Sequence, residues 1–176
     1  MRILLMRHAH ALSRAEANVA YDAERPLSST GRTEAQAAAQ LLRALGALPD
    51  TVVCSPFVRA QETAALICRA LGAGRTPQAL SSLAPGSGPE DLLRAVVNYR
   101  RNEQAWLLAV MHEPDVSQIL GSLLLRGAPF PLPVAPSDLY ALDVQVACVD
   151  CCGRLLFALS PAALARAPLP PEASPA

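Results

Sequence analysis

The chain has 176 residues, long enough for one domain with a full hydrophobic core and short for two. Its fifteen basic residues, all arginines, balance fifteen acidic ones, which gives no electrostatic ground for a nucleic-acid or membrane-surface partner. No uncharged stretch reaches the roughly 20 residues of a membrane span, and nothing at the start reads as a secretory leader.

Ile3 to Met6 is a short continuous apolar run, the pattern of a central strand covered on both faces. Polarity then flips at once to Arg7 and His8, an arrangement that calls for an anion at the strand end. Residues 9 to 30 read as a long loop. Ser29 or Thr30 is the expected cap of a helix from about Gly31 to Leu45, with Leu41, Leu42 and Leu45 as its apolar edge and Gly46 as its stop. Thr51 to Cys54 reads as a second strand. Ser55 at N-cap and Pro56 at N1 predict a helix to about Leu71, with Val58, Ala65, Leu66 and Leu71 as its apolar positions. Residues 73 to 88 form a Gly/Pro/Ser-rich connection holding one short strand near Gln78 to Leu83.

Pro89 opens a third helix to about Arg101, with Glu90 and Asp91 at its positive end. Ala105 to Met111 is a third apolar strand ending in His112, followed by a helix from Pro114 and Asp115 to about Leu125. A Pro-rich loop at 129–136 leads to two strands, Asp138 to Val149 and Arg154 to Leu159, paired antiparallel about Gly153. The Ala/Pro-rich stretch 161–176 reads as a disordered tail after a single domain over 1–160. Strands alternating with helices predict an α/β sandwich with a largely parallel sheet.

Cys54, Cys68, Cys148, Cys151 and Cys152 lack framework spacing, so a reducing, cytoplasmic location is expected. Cys148-x-x-Cys151-Cys152 sits in a strand-like segment without a second ligand pair, and no metal role is assigned to it.

Three strands end abruptly in polar residues: Met6 before Arg7-His8, Cys54 before Ser55-Pro56 with Arg59 one turn in, and Met111 before His112. Parallel strands would bring these ends to one edge of the sheet. Two guanidiniums match the oxygens of a phosphate. A neutral His8 can attack phosphorus, while a protonated His112 stabilises charge on the equatorial oxygens. Such a set needs no cofactor or metal, since phosphoryl transfer rests on positioning and electrostatics. A zinc site from His8, His10 and His112 is a second reading, disfavoured by Arg7 and Arg59 beside a cation.

These residues fall into motifs: Arg7-His8-Ala9-His10-Ala11, Arg25-Pro26-Leu27-x-x-x-Gly31, Ser55-Pro56-x-x-Arg59-Ala60-x-x-Thr63-Ala64, and His112-Glu113-Pro114. In this order the chain resembles the histidine phosphatase superfamily, and within it the small phosphohistidine phosphatase, SixA-like branch. The resemblance implies a three-layer α/β/α sandwich of the phosphoglycerate-mutase-like fold. It also implies His8 as nucleophile, with Arg7, Arg59 and His112 forming the phosphate pocket and Arg25 at its rim. The implied activity is metal-independent release of phosphate from protein phosphohistidine through a covalent intermediate; separately, a monomer is expected.

Two positions depart from the wider superfamily: Ala9 stands where Gly is common, and Met111 where Gly or Ser is usual, so that its bulk is expected near the pocket. The mid-chain Glu that serves as proton donor in mutases and sugar phosphatases is missing from Leu83 to Gly88. An imidazole leaving group, with a conjugate acid near pKa 6.5, needs less help than an alkoxide. Asp22, Glu24, Glu90 and Glu113 are the candidate donors. The alternatives are a small-molecule phosphomonoesterase and a non-catalytic phosphate-binding protein on the same fold.

Overall fold

The computed structural model describes residues 1–72, 74–99, 105–145 and 153–166. Six strands, β1 (Arg2–Arg7), β2 (Pro49–Cys54), β3 (Gln78–Ala79), β4 (Trp106–Met111), β5 (Leu139–Val144) and β6 (Gly153–Leu159), form one sheet in the order β3-β2-β4-β1-β5-β6. The pairs β1–β4, β2–β4 and β2–β3 are parallel, while β1–β5 and β5–β6 are antiparallel. This is the expected mixed sheet, with β1 at its centre because Ile3, Leu4, Leu5 and Met6 are all fully buried.

Alternation along the strands splits the core in two. Leu4, Met6, Leu108 and Val110 pack on one face against Ala39 and Leu42 of α2 (Ser29–Ala44) and Ala64 and Ile67 of α3 (Val58–Leu71). On the other face Ile3, Leu5, Leu107 and Ala109 meet Leu92 and Val96 of α4 (Pro89–Tyr99) and Ile119 and Leu120 of α5 (Asp115–Leu125). The result is a three-layer α/β/α sandwich.

Several local expectations are corrected. The long loop carries a short helix, α1 (Arg14–Ala17), and a 3-10 turn over Asp22–Glu24. Helix α2 is capped by Ser28, whose side chain accepts the Gly31 N–H, rather than by Ser29 or Thr30. Its buried stripe is Gly31, Glu34, Ala35, Ala38, Ala39 and Leu42, and Leu45 is exposed. Small residues win there because the helix lies close to the loop after β1. Helix α3 begins at Val58 without a side-chain cap, and its buried face runs through Arg59, Ala60, Thr63, Ala64, Ile67, Cys68 and Leu71. A further short helix, α6 (Pro161–Arg166), occupies the start of the expected tail. Residues 167–176 lie outside the described residues, as do Cys148, Cys151 and Cys152. Cys54 and Cys68 are buried free thiols. No helix among the described residues is long and apolar enough to cross a membrane.

Candidate active site

The register of the parallel strands assembles the site. Arg7 pairs with Met111, and Cys54 pairs with Val110. The ladder continues one residue further: the His8 N–H donates to Met111 O (2.9 Å) and the Ser55 N–H to Val110 O (3.0 Å). Three strands therefore release His8, Ser55 and His112 at one sheet edge, where ligands collect in open α/β sheets. The His8 and His112 rings stand edge-on with centroids 5.1 Å apart.

His8 is 8% exposed, and its Nδ1 lies 2.7 Å from Ala9 O. A carbonyl accepts only, so Nδ1 carries the hydrogen and Nε2 keeps its lone pair. That Nε2 accepts the Nε–H of Arg59 at 3.0 Å. Burial, with Arg59, Arg7 and Arg25 adding to it against the opposing Ala9 bond, pulls the His8 pKa down to about 4. The ring is neutral near pH 7. It is a base with an unshared pair held among three guanidiniums.

The Arg59 guanidinium, buried beside the Phe57 ring, is the hub of the pocket. Besides His8 it donates through Nη1 to Asp22 O (2.7 Å) and through Nη2 to Asp22 Oδ2 (2.9 Å). Asp22 also accepts Arg25 Nη1 on Oδ1 at 2.8 Å, while Arg25 Nε donates to Leu12 O. Arg25 thus touches the site through Asp22, at the rim. Arg7 donates Nη1 to Val134 O (2.6 Å), and its Nε is buried without a partner.

His112 departs from its expected charge. Burial, then the neighbouring His8, Arg59 and Arg7, pull its pKa down to about 3, so it is neutral rather than an imidazolium in this pocket. Its Nε2 lies 2.7 Å from Ser55 Oγ, and its Nδ1 is buried with no partner. Met111 is the register partner of Arg7 and shares its sheet face. Its fully buried side chain belongs to the α4/α5 side of the core with Ile3 and Leu5.

The candidate proton donors are dispersed. Asp22 is held ionised: the Arg25 bond is the largest effect and lowers its pKa, burial opposes it, and Arg59 adds to the lowering. Glu113 turns onto α5, accepting the Ser117 hydroxyl and amide. Glu24 accepts the Tyr21 N–H, and Glu90 is exposed at the start of α4. The 84–88 loop is pinned by buried Asp115, which accepts the Gly86 N–H and has its pKa raised by burial.

Sequence reasoning missed four supporting residues. Ser55, read as a helix cap, instead faces His112 and accepts the Phe57 N–H. Thr63 donates to Arg59 O (2.7 Å) and accepts the Ala9 N–H (3.2 Å), tying α3 to the loop after His8. Buried Glu34 accepts both His10 N–H and His10 Nδ1, and Asp115 fixes the 84–88 loop. Because His10 turns to Glu34, the ring trio of the zinc reading is not assembled. Among the described residues no group of three His, Cys, Asp or Glu is placed to hold a metal ion. The recurrence of polar residues on otherwise apolar helix faces, as at Glu34 and Thr63, was the signal available.

Comparison with known proteins identifies the family. The model of the histidine phosphatase superfamily (branch 1) matches residues 3–84. The phosphohistidine phosphatase SixA of Escherichia coli K12 is 30% identical over 124 residues, covering 70% of this chain and 74% of its own. An uncharacterised protein of Picosynechococcus sp. (strain PCC 7002) is 32% identical over 118 residues, covering 67% of this chain and 70% of its own. A solved structure of the protein histidine phosphatase SixA complexed with tungstate has the same fold, with a TM-score of 0.78 at 22% identity over 93% of this chain and 99% of that one. The chain belongs to the histidine phosphatase superfamily, in its SixA-like branch, and is a phosphatase.

Proposed function

We propose that the protein removes phosphate from phosphohistidine in a protein substrate, through a covalent phosphohistidine intermediate on His8. The observation that carries this is the tautomer of His8, whose Nδ1–H is committed to Ala9 O while the Nε2 lone pair faces Arg59. In the reaction the Nε2 pair forms a bond to phosphorus as the bond from phosphorus to the substrate's ring nitrogen breaks. The substrate ring leaves as neutral imidazole when its other nitrogen carries a hydrogen, the pair of the broken bond staying on the nitrogen that held phosphorus. Water then attacks phosphorus, releasing phosphate and restoring the Nε2 pair.

Arg7, Arg59 and His112 donate to the phosphoryl oxygens as charge spreads over them, and Arg25 acts at the rim. The donor now given to His8 Nε2 by Arg59 passes to a phosphoryl oxygen when phosphorus takes that place. The absence, among the described residues, of a well-placed neutral carboxyl supports the choice of substrate, because an imidazole protonated on its other nitrogen leaves without one and an alkoxide does not. No cofactor is called for, and a small phosphate ester is the alternative substrate. Cytoplasmic action on a soluble phosphoprotein, as a monomer, fits the free buried thiols and the balanced charge.

The test is phosphate release from a phosphohistidine protein in EDTA, wild type beside His8→Ala, with acid-labile phosphate on the enzyme trapped by rapid denaturation. Turnover and trapped label that both vanish in the variant support the proposal. Hydrolysis of a simple ester with the phosphoprotein untouched would overturn the substrate assignment, and turnover without label would overturn the intermediate.

A further inference from the structure

Ser55 is completely buried at the end of β2, one residue before Pro56. Its Oγ carries one hydrogen and two lone pairs. One pair accepts the Phe57 N–H at 3.2 Å. The remaining contact of that oxygen is with His112 Nε2 at 2.7 Å, and it can run in either direction.

If Ser55 donates, its hydroxyl is satisfied and His112 is the Nδ1–H tautomer. If Nε2–H donates instead, the Ser55 hydrogen and the His112 Nδ1 lone pair are both left buried without partners. Each unsatisfied buried group is costly, so the first assignment wins by one such group. It leaves a single orphan on the ring, the Nδ1–H. The Nε–H of Arg7 is also buried without an acceptor. Two unpaired donors flanking His8 are what an anion site holds before its anion arrives.

We propose that Ser55 is a positioning residue that locks His112 in the Nδ1–H tautomer, reserving that N–H for an oxygen of the transferred phosphoryl group. The identity of the acceptor rests on the phosphatase reading above, whereas the tautomer does not. Burial that keeps His112 uncharged fits this role, since a neutral ring must carry its hydrogen on the correct nitrogen to donate at all.

Nitrogen-15 NMR of protein labelled in its three histidines reads the tautomers directly, without substrate. Wild type is expected to show His112 protonated on Nδ1 and unprotonated on Nε2. In Ser55→Ala, His112 is expected to shift toward Nε2–H and kcat to fall about 10²-fold, the typical effect of losing one preorganised donor. Ser55→Thr, which keeps the hydroxyl, should retain the wild-type tautomer. If Ser55→Ala does not fold, Ser55→Cys, with a weaker donor of similar size, serves for the same shift. An Nε2–H His112 in wild type, or an unchanged tautomer in the alanine or cysteine variant, would overturn the proposal. Failure to release phosphate from phosphohistidine would overturn the substrate reading and leave the tautomer assignment intact.

Discussion

Arg59 Nε donates to His8 Nε2 at 3.0 Å, so one guanidinium edge marks the nitrogen on which phosphoryl chemistry is proposed. The same guanidinium reaches Asp22 through both terminal nitrogens, a forked geometry that a lysine ammonium cannot reproduce. Arg59→Lys is therefore expected to lower kcat/KM by about 10²-fold with the fold intact. Steady-state kinetics alongside circular dichroism check this, and a loss below about threefold would show that charge alone suffices.

Asp22 holds with its carboxylate the donors that Arg59 and Arg25 would offer to phosphate. It is a built-in competitor, and its half-exposed side chain limits the bond to about 1 kcal/mol. Asp22→Asn should tighten inhibition by tungstate by up to about fivefold. A weaker inhibition constant would mean that Asp22 orients Arg59 for the anion instead of competing with it.

Neutral His8 and His112 make acid costly to the fold. In the unfolded chain both rings take up protons near pH 6.5, but in the fold only near 4 and 3. Between those values the unfolded state binds more protons, so stability falls as pH is lowered from 6.5, and the penalty is complete below the folded values. Urea midpoints at pH 7.5, 6 and 5 should decline in wild type and decline less in His112→Gln. Over pH 5 to 8, kcat/KM should show no limb from His8 ionisation.

Gly31 sits on α2 with its backbone against the loop after β1. A Cβ there would lie 2.0 Å from His10 O. Gly31→Ala must push that loop away or the helix out, at a cost of about 3 kcal/mol. Thermal melting should show the loss, and activity at low temperature should fall too, because His10 is two residues from His8. A melting temperature within a degree of wild type would refute the contact.

The order of the strands and of the four longer helices, the buried central strand and the three strand ends bearing Arg7-His8, Ser55 and His112 were legible in the sequence. Short apolar runs and their abrupt polar stops depend only on local pattern, which one-dimensional reading captures. The same holds for Arg59, marked by its motif, although it is the second residue of α3 rather than one turn in. Only the tertiary structure decided what each polar atom faces. Ser55 reads as a helix cap until β4 brings His112 to it, and the packing of Met111 with Ile3 and Leu5, on the face it shares with Arg7, comes only from the register of β1 and β4. Asp22 reads as a possible acid until Arg25 and Arg59 close on it and hold it ionised. Protonation state and hydrogen-bond direction depend on burial and on partners far away in sequence, as with His8 and Arg59, 51 positions apart. Those are properties of the packed molecule, and no local stretch of the chain contains them.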